Sequence, residues 1–276
     1  MAWILGFRFF DIDRATSCPH YPPMLLVIDI GNTDIVGGIH ERGRIQSTFR
    51  LRSIAKKTED EYAASISSLL GERGIDAAAI ERVVISSVVP ALTTTIVAFA
   101  RNLCGREPVV MGPDSYDKLP LALPSPREIG TDLVANALAA FRKTGGPAII
   151  ADFGTALTFT GVRADGKVLG VAIAPGLGSA IDSLTRNTAQ LPSVELLAPA
   201  SVLGTDTVMS IRAGVVHGYA GLVTHLVARM KQEMGGKARV FATGGLCEII
   251  APLVDCFDIV DRNLTLDGLA FAAEYL

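Results

Sequence analysis

The chain has only four cysteines in 276 residues, Cys18, Cys104, Cys247 and Cys256, and no two of them form a C-x-x-C pair. That spacing argues against a zinc knuckle or a thiol redox motif and leaves reduced thiols as the reading. The sequence also lacks any run of roughly 20 apolar residues, the length that a membrane-spanning helix requires. Residues 1–23 contain Trp3, Ile4, Leu5, Phe7, Phe9 and Phe10 but neither a basic start nor an A-x-A site, so a secretory signal is not expected. No block of basic residues stands out. With a formal net charge of -3, there is no general attraction for nucleic acid or anionic lipid. The expectation is a cytoplasmic protein with neither nucleic acid nor membrane as a partner.

What is present is a sequence able to build large cores. Apolar residues make up 49% and charged residues 19%, the balance of a packed globular enzyme. The length suits two domains, each with a core of its own. Because Met24 sits directly before an ideal strand, residues 1–23 read as an N-terminal extension. No Gly/Ser linker interrupts the rest, and the boundary falls near Thr144 to Pro147, giving domains at 24–145 and 146–276.

Two turns of like grammar mark the halves. The apolar run Leu25 to Ile28 enters Asp29-Ile30-Gly31-Asn32-Thr33, and Ile35 to Ile39 continues as a second strand. The pattern returns as Ala148 to Ala151, then Asp152-Phe153-Gly154-Thr155-Ala156, then Leu157 to Val162. A strand ending in Asp, Gly and Thr offers a carboxylate for a hydrated metal, a bare backbone for phosphate oxygens and a hydroxyl donor. A single copy is equally well plain hairpin chemistry. Two copies at matching places suggest that both turns face one nucleotide. A third turn, Thr243-Gly244-Gly245, follows the strand Arg239 to Ala242 and opens a helix at Leu246 to Ile250.

Between these landmarks, Glu59 to Leu70 and Thr93 to Leu103 read as helices, and Val83 to Ile85 and Val109 to Met111 as strands. The proline-bearing run from Pro113 to Pro126 reads as loop or edge. A small-residue helix starts at Gly130-Thr131-Asp132. Asp132 in its first turn serves either as a cap or as a base, and position alone favours the cap. Thr207 to Met234 reads as a long helix closed by Gly235-Gly236. Its Gly214, Gly218 and Gly221 share one face, at a cost of about 1 kcal/mol each against alanine. Such a seam packs either within the monomer or against a second subunit. His217 and His225 lack the i, i+4 spacing of a helical metal pair.

The two Asp-x-Gly-x-Thr turns and the Thr-Gly-Gly turn resemble the fingerprint of the acetate and sugar kinase, heat-shock ATPase and actin superfamily. That resemblance implies an α/β fold of duplicated actin-like (ribonuclease H-like) ATPase domains, with mixed sheets and an interdomain cleft. In detail the chain resembles the type III pantothenate kinases, through Asp29 to Thr33, Gly130 to Asp132, Asp152 to Ala156, Ala174-Pro175-Gly176, Thr188-Ala189-Gln190-Leu191-Pro192 and Thr243 to Gly245 in that order. The resemblance implies transfer of the ATP γ-phosphate to the primary hydroxyl of pantothenate, giving 4'-phosphopantothenate in the first step of coenzyme A synthesis. It also implies Asp132 as general base, with Gly130, Thr131, Leu133 and Thr207 around the acceptor. Asp29, Ile30, Gly31, Asn32, Thr33, Asp34, Ile35, Val36 and Thr155 would hold ATP. Asp29 would lie near Mg2+, Asp152 would bind a monovalent cation (K+ or NH4+), and the chain would form a homodimer.

Four positions depart from the family pattern. Leu133 replaces the arginine after the base, Leu123 a tyrosine, Asp34 an asparagine and Leu157 a threonine. Leu133 cannot pair with a carboxylate-bearing acceptor, and Arg127 is the nearby cation in sequence. Two other readings follow: a divergent nucleotide-binding paralogue that regulates or phosphorylates another small alcohol, and a sugar or carboxylate kinase of the same fold.

Overall fold

The computed structural model describes residues 24–186, 192 and 194–276. The expected extension 1–23 and the stretch Thr188 to Leu191 lie outside the described residues.

The first sheet contains β1 (Leu25–Ile30), β2 (Asp34–Glu41), β3 (Arg44–Arg52), β4 (Arg82–Ser87) and β5 (Val109–Val110), in the order β3-β2-β1-β4-β5. The second contains β6 (Ala148–Phe153), β7 (Ala156–Val162), β8 (Val168–Pro175), β9 (Arg239–Thr243) and β10 (Ile259–Val260), in the order β10-β9-β6-β7-β8. Read from its other edge, the second sheet repeats the first. In each, the opening three strands form an antiparallel meander, and the last two add in parallel beside the opening strand. This is the duplicated actin-like α/β architecture expected from the paired turns, with two mixed five-stranded sheets.

Local sequence explains the elements. Helix α1 (Glu59–Glu72) starts at a capping box in which Thr58 and Glu61 satisfy each other's backbone N–H groups. It buries Tyr62, Ile66 and Leu70 against the first sheet. Helix α2 (Pro90–Cys104) begins earlier than expected because Pro90 suits a first helical position, where no N–H is needed. The proline-bearing segment contains a 3-10 turn at Pro113–Lys118, and its Ala122 bridges to Lys167 in parallel.

Helices α3 (Thr131–Thr144) and α7 (Leu264–Ala272) are the elements shared by both halves. On one side Val134, Ala135 and Leu138 of α3, with Leu266 and Leu269 of α7, pack on Leu25, Val27 and Val84 of the first sheet. On the other, Ala137, Ala139 and Ala140, with Leu264, pack on Ile150, Val162 and Phe241 of the second. Alanines on α3 and Gly268 on α7 allow this sandwich, since a side chain at 268 would collide with the Ala135 carbonyl. Full burial of each large apolar side chain here contributes about 1.5–3 kcal/mol. Outside the sandwich, α4 (Leu177–Arg186), α5 (Thr207–Glu233) and the short α6 (Cys247–Ile250) belong to the second half.

Candidate active site

The site forms where α3 meets the ends of β1 and β6. β1 and β6 run through Asp29 and Asp152, so both carboxylates leave a strand end beside a tight turn. The expected first turn shrinks to Gly31–Thr33, closed by Gly31 N–H donating to the Asp34 carbonyl at 3.0 Å. In the second turn, Gly154 N–H donates to the Ala156 carbonyl at 3.1 Å. The two corners meet: Thr33 Oγ1 and Thr155 Oγ1 lie 2.8 Å apart.

Register supplies each aspartate with a hydroxyl neighbour on the adjacent parallel strand. Asp29 pairs with Ser86, and Asp152 with Thr243. Ser86 Oγ donates to Asp29 Oδ1 at 2.8 Å and lies 2.8 Å from Thr131 Oγ1. Five residues further along α3, Asn136 Nδ2 donates to Asp152 Oδ2 at 2.8 Å, while its Oδ1 accepts from Thr265 of α7 at 2.8 Å. Asn136 is buried with both ends of its amide used. The Thr243 hydroxyl is buried and has no hydrogen-bond partner among the described residues.

Asp132 sits between these supports, and Leu133 N–H donates to its Oδ1 at 2.8 Å. The three carboxylates share one field. Burial first, then the charges of Asp132 and Asp152, raise Asp29 to about 7 against a hydrogen bond from Ser86. Burial and the charge of Asp132 raise Asp152 to about 6, opposed by Asn136. Burial raises Asp132 as well. None of the described hydrogen bonds or ion pairs brings a lysine or arginine to any of the three. Cations and a helix N-terminus that relieve this crowding would therefore be favoured.

Further from the centre, Gly244 has φ +90, and a Cβ there would lie 2.5 Å from Asp152 Oδ1, so only glycine lets the Thr243–Gly245 turn close over that carboxylate. Asp34 pairs with Arg50 at 3.0 Å and Arg52 at 3.5 Å, which neutralises the charge it adds beside the turn. Asn32 is exposed, and Ile30 and Ile35 are core residues beneath the corner. Val36 packs partly buried on the neighbouring core. Gly130 caps α3.

The acceptor-side positions are more dispersed. Leu133 is buried in the first turn of α3, and Leu123 packs partly buried between the two shared cores. Thr207 is exposed at the start of α5, and none of the described hydrogen bonds joins it to the carboxylates. Arg127 is exposed and lines a surface cavity of about 420 Å³ that none of the three aspartates borders. The Tyr116 hydroxyl is buried without a partner among the described residues, and burial with the charge of Asp132 pushes it up to about 12.

Sequence reasoning missed Ser86, Asn136, Thr265 and Tyr116. Asn136 had a readable signal, as the lone polar residue in the run from Leu133 to Phe141. Ser86 ended an apolar strand in phase with Asp29. Thr265 and Tyr116 had no signal, because both depend on tertiary placement.

Known proteins share this chain's sequence and fold. Residues 25–229 match the family described as type III pantothenate kinase. A type III pantothenate kinase from Moorella thermoacetica is 44% identical over 251 residues, covering 91% of this chain and 99% of that protein. One from Treponema pallidum (strain Nichols) is 45% identical over 255 residues, covering 90% and 93%. Among solved structures, the (R)-2-hydroxyglutaryl-CoA dehydratase component A from Acidaminococcus fermentans superposes with a TM-score of 0.52 at 15% identity, covering 91% of this chain and 96% of that one, a likeness of fold. Identity at this level across nearly the full length of these relatives, with a family match over residues 25–229, shows that the chain belongs to the type III pantothenate kinase family.

Proposed function

We propose that the chain phosphorylates the primary hydroxyl of pantothenate with ATP, giving 4'-phosphopantothenate and ADP at the entry to coenzyme A synthesis. The observation that carries this reading is the electrostatic cluster of Asp29, Asp132 and Asp152 beneath the joined Thr33 and Thr155 corners. In this mechanism the triphosphate lies along the turn from Asp29 to Val36, with Thr155 completing its cradle. Asp132 accepts the hydroxyl proton as the acceptor oxygen bonds to the γ-phosphorus and the bond to the β,γ-bridging oxygen breaks. Phosphoryl transfer asks little of the base, because positioning and neutralisation of charge lower most of the barrier. Burial raises Asp132 and makes it a better proton acceptor than an ordinary carboxylate.

The donor set fits the expected ions. Among the described residues no group of three or more metal-ligating side chains is assembled. Mg2+ keeps waters and phosphate oxygens and takes one or two carboxylates. Asp29 would hold it, and it would supply charge neutralisation at the phosphates. Asp152, with the unpartnered Thr243 hydroxyl alongside, suits K+ or NH4+.

A homodimer belongs to the same reading. A Cβ built at Gly214, Gly218 or Gly221 meets nothing within 4 Å, so no part of the described chain fills that face of α5. Leu169, Val171 and Ile173 of β8 are exposed on one face of an edge strand, and a second copy would cover such apolar surface. Among the described residues no helix is long and apolar enough to cross a membrane, and ATP as substrate accords with a cytoplasmic enzyme.

A coupled assay with pantothenate, ATP, Mg2+ and K+ tests the function. Turnover is expected to fall about 10²–10⁴-fold in Asp132→Asn, with ATP affinity retained. Equal turnover in the two proteins, or none in either, would refute the assignment.

A further inference from the structure

Three carboxylates and a triphosphate concentrate negative charge in one cleft, yet no basic side chain of the described chain bonds to any of the three. At the first corner positive charge comes from Arg50 on β3. Its Nη1 donates to Asp34 Oδ2 at 3.0 Å, immediately beside Thr33. Its side chain is 52% exposed although held at one end. A guanidinium has five donors in a rigid fork, and the hydrogen bond to Asp34 is the one described for Arg50.

Arg50 also reaches the opposite half of the molecule. A Cβ built at Gly245 would lie 3.4 Å from Arg50 Nη1 and 3.7 Å from Nη2. The guanidinium therefore stands between the Asp29–Asp34 corner and the Thr243–Gly245 turn, the turn that closes over Asp152. Arg52 neutralises the other oxygen of Asp34 at 3.5 Å. With two arginines around one aspartate, the trio retains a net positive charge.

We infer that Arg50 is a phosphate-contacting residue of the nucleotide site, held in place by Asp34 and directed by the glycine turn that faces it. This rests on the reading of the cleft as an ATP site. Asp34 then acts as the anchor that orients a cation, and the asparagine-to-aspartate departure gains a physical purpose. An arginine fork suits this task better than lysine because it can keep one edge on a carboxylate while the other meets phosphate oxygens.

The test measures binding of ATP, ADP and adenosine by calorimetry, with steady-state kinetics, for the wild type, Arg50→Ala and Arg50→Lys. Loss of a charged hydrogen bond predicts at least about tenfold weaker binding of ATP and ADP by Arg50→Ala, with adenosine affinity and the KM for pantothenate within twofold of wild type. Arg50→Lys should recover part of the loss, and unchanged melting temperatures would show that both variants fold. An equal loss for adenosine would overturn the phosphate assignment and leave Arg50 as a structural tie between the halves. Unchanged ATP affinity in Arg50→Ala would overturn the inference outright. A wild type that binds none of the three ligands would instead refute the nucleotide reading of the cleft.

Discussion

Thr33 Oγ1 lies 2.8 Å from Thr155 Oγ1, although 122 residues separate them in sequence. Each hydroxyl sits at the corner of its own hairpin, one in each duplicated half, so this contact joins the two turns that follow Asp29 and Asp152. A pair of hydroxyls can rotate to donate outward, which makes the junction a ready partner for phosphate oxygens.

Thr155→Val keeps the shape of the corner and removes one hydroxyl. A neutral hydrogen bond is worth about 0.5–1.5 kcal/mol, so the KM for ATP should rise about threefold to tenfold with little change in the KM for pantothenate. Steady-state kinetics with each substrate varied in turn would check this. A rise confined to pantothenate would place Thr155 on the wrong side of the cleft.

The stability of the ligand-free protein should carry the signature of the crowded carboxylates. Asp29 is raised from 3.8 to about 7 and Asp152 to about 6. A raised carboxyl favours the folded state while protonated. Its contribution is complete below the unfolded value and is lost as pH rises through the folded one. The contributions of both groups should therefore fall between about pH 4 and 7. Asp29→Asn should flatten this decline and melt higher than the wild type near pH 7.5, as thermal melts across that range would reveal. An identical pH profile in the variant would remove Asp29 as its source.

Much of this is legible in the sequence. The repeated Asp-x-Gly-x-Thr corners disclosed the duplication, because each lies between apolar runs whose period and turn chemistry are local. The polar β3 and the apolar β8 were not legible. Arg44, Gln46, Arg50 and Arg52 resemble a solvated loop until their pairing with β2 is seen. The face of β8 carrying Leu169, Val171 and Ile173 is exposed where a core strand would be buried. The role of α7 was hidden for a different reason, since its contacts with β1 and α3 join distant parts of the sequence. At the candidate site, Asp132 stands out in the Gly130–Asp132 motif, whereas the Ser86 and Asn136 contacts emerge only from register and helix phase.

Asn136 offers a test of that support. It donates to Asp152 and accepts from Thr265 in a buried setting, so Asn136→Ala strands two partners and should cost about 1–3 kcal/mol of stability. If Asp152 holds the monovalent cation, the variant should also need more K+ to reach half-maximal rate. Asn136→Asp adds a fourth negative charge and should do worse still at neutral pH. A K+ titration of activity distinguishes this from a purely structural defect, which would lower the rate at every K+ concentration without moving the midpoint.

The bare face of α5 yields the last prediction. Glycine inside a helix costs about 1 kcal/mol against alanine, and three on one face of α5 carry that penalty with nothing from the described chain against them. If solvent covered this face, Gly218→Ala would simply stabilise the helix by about that amount. A second subunit packed closely on the seam reverses the outcome, because added atoms then force the helices apart. Gly218→Leu meets nothing within 4 Å inside the described chain at its Cβ, so it should fold normally yet sediment as a monomer if the proposed dimer packs on this seam. Light scattering and sedimentation on both proteins would read this directly. A Gly218→Leu protein that stays dimeric at wild-type strength would place the interface elsewhere, with the exposed strand face of Leu169, Val171 and Ile173 as another surface to test.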